Sequence, residues 1–169
     1  MQCTYGALKW GMTNHSKPDT PGVHVPPPVI VVVFLAIGLA ADKYFPSSFG
    51  APMNYLGKLG GVLIVGGFAL AFWCAWKYHK AKTSILPHTK DSAIIDTGPF
   101  RFSRNPIYLS MILVFIGVCF YWNAPIALLF LIPTILTLRY YVIAKEEAYL
   151  IRRFGDEYLS YQRKVRRWL

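Results

Sequence analysis

The chain has 169 residues, a formal net charge of +10, 54% hydrophobic residues and a mean hydropathy of +0.36. A soluble domain of this length would be less apolar, so the composition points to an integral membrane protein. The positive charge lies between four apolar runs, which fits the Lys/Arg bias of membrane-protein loops and attraction to anionic lipid; no DNA- or RNA-binding motif is present.

Residues 1–24 mix Gly, Asn, His, Lys, Asp and Pro and read as a flexible cytosolic lead without the apolar core of a signal peptide. His15 and His24 have no partners at helical spacing and read as surface histidines, not metal ligands. Pro26-Pro27-Pro28 stiffens the entry to the first apolar run, Val29 to Ala41, which extends toward Phe45. A span needs about 20 residues. The run approaches that if counted from Val25, so it is expected to be a transmembrane helix, with a re-entrant segment as the alternative.

A loop at 42–54, with few charges, leads to the second run, Tyr55 to Trp76. That run carries Gly57 and Gly61, then Gly67, Ala71 and Ala75, each set at four-residue spacing. Small residues in that pattern let helices approach closely in lipid, so packing against another helix of the chain is expected, ahead of homodimerisation. A long basic loop follows, from Lys77 to Arg104. It includes Thr83 to His88, and its length suggests a working role. The cysteines, Cys3, Cys74 and Cys119, have no metal-ligand spacing; two lie within apolar runs and read as small buried hydrophobes.

The loop ends in Gly98-Pro99-Phe100-Arg101-Phe102-Ser103-Arg104-Asn105-Pro106-Ile107-Tyr108. Asn105 is a good N-cap and Pro106 suits the first helical position. A helix is therefore expected to begin here, with Arg101 and Arg104 at its mouth. Arginines beside a helix N-terminus make either an anion site or simple interfacial anchors. The third run, Ile107 to Trp122, turns tightly through Asn123-Ala124-Pro125 into an antiparallel fourth run, Ile126 to Val142, with a kink expected at Pro133. From Arg139 to Leu169 the chain is charged but helical in pattern. Gly155 divides it, and the second part suits a membrane surface.

The fold expected is thus all-α: a polytopic membrane helical bundle of about four transmembrane helices plus a C-terminal cytosolic or interfacial helical segment. It forms one membrane domain over 1–169, with a lead at 1–24, two helices in 25–76 and a catalytic half in 77–169. The Lys/Arg-rich segments 77–104 and 139–167 both belong on the cytosolic side, with both termini. Arg104 and Tyr108 share a helical face by their four-residue spacing, and Arg139 and Glu146 by their seven. With Glu147 these five are expected to converge where the third and fourth helices meet the interface. Charges at that depth are costly unless paired, so the set is either a group of structural ion pairs or a pocket for a ligand carrying charges and hydroxyls.

The 98–108 stretch resembles the Arg-His-Pro-x-Tyr region of the isoprenylcysteine carboxyl methyltransferases, with similar regions in the phospholipid N-methyltransferases. The segment from Glu146-Glu147 through Phe154-Gly155, Tyr158 and Tyr161 to Val165 looks like the same family's tail. The resemblance covers about residues 83–169. It implies an integral membrane enzyme using S-adenosylmethionine on a lipophilic acceptor, foremost an isoprenylcysteine-type carboxylate, with a phospholipid amine as the alternative. It also implies that Asn105, Pro106, Tyr108, Glu146 and Glu147 line the cofactor pocket, that Arg104 orients the acceptor carboxylate, and that Arg139 assists. Two departures are visible. Asn105 stands where the isoprenylcysteine enzymes have histidine, and their eukaryotic members place the arginines closer to the glutamate pair. A sterol-reductase-type enzyme using NADPH is the competing resemblance, but it would place Asn where Ile107 stands. A non-catalytic membrane protein with anchoring charges is the remaining alternative.

Overall fold

In a computed structural model of the chain, residues 21–45, 47–50, 52–81 and 94–169 are described. Among them the regular structure is helical throughout: α1 (Pro27–Tyr44), α2 (Met53–Lys80), a 3-10 turn (Gly98–Arg101), α3 (Pro106–Tyr121), α4 (Pro125–Leu129), α5 (Leu131–Thr137), a π-helical turn (Leu138–Ile143), α6 (Ala144–Phe154) and α7 (Asp156–Lys164). α1, α2 and the continuous stretch Pro125–Phe154 are long and apolar enough to cross a membrane. α3 is apolar but has only 16 residues.

The bundle carries its apolar surface outward as well as inward. Val62 and Phe72 are 67% and 76% exposed, as suits helices whose outer faces meet lipid rather than water. α2 has 28 residues, about 42 Å at 1.5 Å per residue. That exceeds the hydrocarbon thickness of about 30 Å. The helix is therefore long enough to span with turns to spare, and its C-terminal turns carry Lys77, His79 and Lys80.

α3 is the central element and touches α1, α2, α4 and α5. Its contact with α2 is set by glycine. A Cβ on Gly60 would lie 2.6 Å from the Gly117 carbonyl oxygen, and one on Gly67 would lie 2.9 Å from that of Ser110. Gly57 and Gly61 face open space instead. The packing expected of this stripe is present, but it runs through Gly60 and Gly67, because the face toward α3 is one residue out of phase with Gly61. α1 packs on α4 and α5, Gly38 lying against the Ala127 backbone.

The far end is fixed by two polar side chains. Asp42, at the end of α1, accepts the Ile126 N–H at 3.0 Å and so caps α4. Asn123, at φ 52, makes the α3–α4 turn and accepts the Phe49 N–H at 3.1 Å. The kink expected at Pro133 is a break at Phe130, between α4 and α5. Pro133 has no N–H for the carbonyl four residues back, while the Phe130 carbonyl accepts from the Thr134 hydroxyl at 2.7 Å. Gly155, at φ 53 and ψ −125, separates α6 from α7 as expected.

Residues 21–24 are not a free lead. Val23 is fully buried, the His24 N–H donates to the Tyr141 hydroxyl, and Lys145 reaches the Gly22 carbonyl. Cys74 and Cys119 are buried free thiols. Cys3, His15 and the Thr83–His88 stretch lie outside the described residues.

Candidate active site

The site forms where four segments meet: the start of α3, α6, α7 and the C-terminal arm 165–169. Upstream of α3 the chain is turned by Gly98, at φ 65, and by the 3-10 turn, whose Pro99 carbonyl accepts the N–H groups of both Phe102 and Ser103. Phe100 is buried beneath, edge-on to Tyr78 at 5.3 Å. The Tyr161 hydroxyl donates to the Phe100 carbonyl at 2.7 Å, tying α7 to this turn.

Arg104 follows, its side chain only 11% exposed. Its Nη2 lies 3.3 Å from Oε1 of Glu147, itself 9% exposed. Glu147 is also gripped by Arg167 of the arm, Nε to Oε1 at 3.1 Å and Nη2 to Oε2 at 2.5 Å. One buried carboxylate is thus held between two guanidinium groups, a trio with one net positive charge. Nε of Arg104 is buried and has no hydrogen-bond partner among the described residues. A buried donor without a partner costs about 1–3 kcal/mol, so it is a place where a ligand atom would be favoured. On the neighbouring turn of the same helices, the Tyr108 hydroxyl donates to Oε1 of Glu146 at 2.6 Å.

The structure therefore brings together Arg104, Asn105, Pro106, Tyr108, Glu146 and Glu147. Asn105 does not cap α3 with its side chain. Its own N–H donates to the Ser103 hydroxyl, and Nδ2 donates to the Arg167 carbonyl at 2.9 Å. The residue expected as a cap is spent on docking the C-terminal arm, because that arm passes within its reach. Pro106 opens α3 and is buried.

Arg139 is the exception. It is exposed and lies over the Tyr140 ring, 5.6 Å from its centroid. The reason is the π-helical turn. The Ala144 N–H reaches back five residues to the Arg139 carbonyl. Over that wider turn, a seven-residue separation no longer places Arg139 and Glu146 on one face. Such turns are frequent at functional sites, and this one directly precedes the helix that carries the glutamate pair.

Beside Arg104 opens a cleft of about 440 Å³, a volume that includes space open to solvent. It is walled by Tyr78, Ile94, Ile95, Phe100, Leu150, Tyr158 and Tyr161. Burial, and then the nearby Glu147 charge, push the Tyr158 hydroxyl up to about 12, Arg104 opposing. Burial likewise raises Tyr161. Arg167 is raised chiefly by its hydrogen bonds to Glu147. The wall is therefore made of neutral phenols and apolar groups, with one cation. Arg167, Tyr158 and Tyr161 were not assigned roles from sequence. The Tyr-x-x-Tyr spacing and the paired Arg166-Arg167 were visible, but nothing in the sequence shows that the arm folds back onto α3. Among the described residues no cluster suited to a metal ion is present.

The model of the phospholipid methyltransferase family matches residues 56–157, more than half of the chain. An uncharacterized protein of Haemophilus influenzae is 43% identical over 63 residues, which is 37% of this chain and all of that protein. No solved structure matches.

Proposed function

The chain belongs to the phospholipid methyltransferase family, a membrane methyltransferase therefore, and from that premise we propose that it uses S-adenosylmethionine to methylate the carboxylate of a lipophilic, isoprenylcysteine-type acceptor. The observation that carries the choice of acceptor is Arg104: a buried guanidinium with one unpartnered N–H, beside a carboxylate already neutralised by two arginines. That arrangement favours an anion over an ammonium.

The donor set fits the cofactor. Glu146 offers a carboxylate for an ammonium or ribose hydroxyls, Glu147 holds the arginines beside it, and Tyr158 and Phe100 offer flat walls for an aromatic base. When bound, the cofactor supplies a methyl group on a sulfonium, whose displacement in line by a nucleophile leaves a neutral thioether. A carboxylate is already a nucleophile at neutral pH, so the chain's task is to orient and desolvate it. Arg104 would hold one acceptor oxygen and leave the other to attack, while the apolar side chains of the cleft wall would displace part of the acceptor's water. The catalytic half then lies in 77–169 and faces the cytosol, as the Lys/Arg distribution favours.

The family's description favours a second reading, a phospholipid amine acceptor. An amine would have to lose a proton, and Glu146, hydrogen-bonded to Tyr108, would be the base. Calorimetric titration of the detergent-solubilised protein with S-adenosylmethionine, and with NADPH as control, tests the cofactor. Absence of heat with the first would sink the reading. Radiolabelled methyl transfer to a farnesyl-cysteine analogue and to phosphatidylethanolamine, side by side, tests the acceptor. We expect base-labile label on the former; label confined to the lipid amine would replace the carboxylate reading.

A further inference from the structure

We infer that Arg167, on the C-terminal arm, is a positioning residue of the site: by holding Glu147 it keeps Arg104 disposed toward the acceptor's anionic group. The inference rests on the methyltransferase reading above. Oε1 of Glu147 is shared between Nε of Arg167, at 3.1 Å, and Nη2 of Arg104, at 3.3 Å, while Oε2 belongs to Arg167. A guanidinium and a carboxylate fit best as a two-bond fork. Arg167 forms that fork, and Arg104 keeps a single contact and a buried Nε without a partner. Were Arg167 absent, Arg104 would be the cation left to form the fork, and would turn toward Glu147.

The arm does not depend on Arg167 for its place. Val165 is extended and buried, and Trp168 packs against the core. The Arg166 carbonyl accepts the Arg104 N–H at 2.9 Å, and the Arg167 carbonyl accepts from Asn105 Nδ2 at 2.9 Å and from the Ser103 hydroxyl at 3.4 Å. These last are main-chain acceptors, unchanged by substitution at 167. The side chain of Arg167 can therefore be removed without undocking the strip that carries it.

The experiment is an acceptor titration at saturating S-adenosylmethionine with the wild type, Arg167→Lys and Arg167→Gln. Amide hydrogen exchange is followed at Arg104 and over 165–169. In Arg167→Gln the acceptor KM is expected to rise about tenfold, the size of one charge-assisted hydrogen bond, with kcat changed less than about threefold. Arg167→Lys, which keeps the charge but not the fork, recovers part of the loss. Exchange at Arg104 stays as slow as in the wild type. A KM within about twofold of the wild type overturns the inference. So does a loss of kcat that comes with faster exchange at Arg104, since the residue would then only hold the arm. A wild-type protein that transfers no methyl group counts against the methyltransferase reading instead. In that case a double-mutant cycle on thermal stability between Arg167→Gln and Arg104→Gln reads the coupling through Glu147, and strictly additive losses overturn it.

Discussion

Glu147→Gln isolates the charge at the centre of the site, because the amide keeps the size and one acceptor oxygen of the carboxylate. In the wild type Glu147 pairs with both Arg104, 11% exposed, and Arg167, 33% exposed. The variant strands two like charges around a neutral side chain. Removing one partner of a buried ion pair costs about 3–5 kcal/mol. Arg167 is a third exposed and rehydrates, so its share falls toward the surface value of about 0–1 kcal/mol. The cost then rests mainly on Arg104, near the lower end of the buried range, and the remaining amide–guanidinium bond offsets about 1 kcal/mol of it. The net loss is about 2–3 kcal/mol, or about 4–12 °C in Tm for a chain of this length. Tryptophan-fluorescence melting in one detergent at a fixed scan rate measures it. Arg104→Gln on top of Glu147→Gln should recover part of the loss by removing the stranded cation. A single-variant Tm within about 1 °C of the wild type would refute the reasoning, since a shift that small means the charge is not desolvated. Arg167→Gln proving costlier than Arg104→Gln would refute the ranking by exposure.

Gly60→Leu and Gly67→Leu should each cost at least about 1–3 kcal/mol by forcing α2 from α3, whereas Gly57→Leu and Gly61→Leu, facing open space, should melt like the wild type; thermal unfolding of the four variants separates the two faces. Tyr161→Phe removes the 2.7 Å bond to the Phe100 carbonyl and should cost about 1 kcal/mol, with faster amide exchange over 98–104. Tyr158 is raised from 10.0 to about 12 in the folded protein. Its neutral form is therefore favoured by folding, so its contribution is intact below pH 10 and is lost as pH rises toward 12. Alkaline unfolding of Tyr158→Phe should accordingly lack part of the wild type's slope in that window. Arg139→Gln should bind S-adenosylmethionine within about twofold of the wild type in calorimetry, because Arg139 is exposed and stacks over the Tyr140 ring; a tenfold loss would return it to the site.

Much of this site could be read from residue order alone. The start of α3 at Pro106 is written in Asn105-Pro106 ahead of an apolar run, and the α6–α7 break is written in Gly155. These are backbone constraints carried by single residue types. The pairing of the α3 mouth with Glu146 and Glu147 follows from a short turn at Asn123-Ala124-Pro125, which makes the hairpin antiparallel. The seven-residue spacing of Arg139 and Glu146 assumes a uniform helix. Nothing in Leu138–Ile143 declares the π turn that changes the register of Arg139 against Glu146. The α2 stripe was legible as small residues, but which of Gly57, Gly60, Gly61 and Gly67 meet α3 depends on how α2 is rotated about its axis.

The sequence by itself determined the helical class, the membrane setting and the residues able to carry charge near the interface, since hydropathy, proline and glycine act locally. Only the tertiary structure decided how those charges combine. Asn105 turned from a helix cap into an anchor for the C-terminal arm, and Arg167, 20 residues beyond Glu147, became its fork partner. Such contacts depend on where a chain end folds back. That is set by the burial of Val165 and the packing of Trp168 against the core, not by any local preference of the residues concerned.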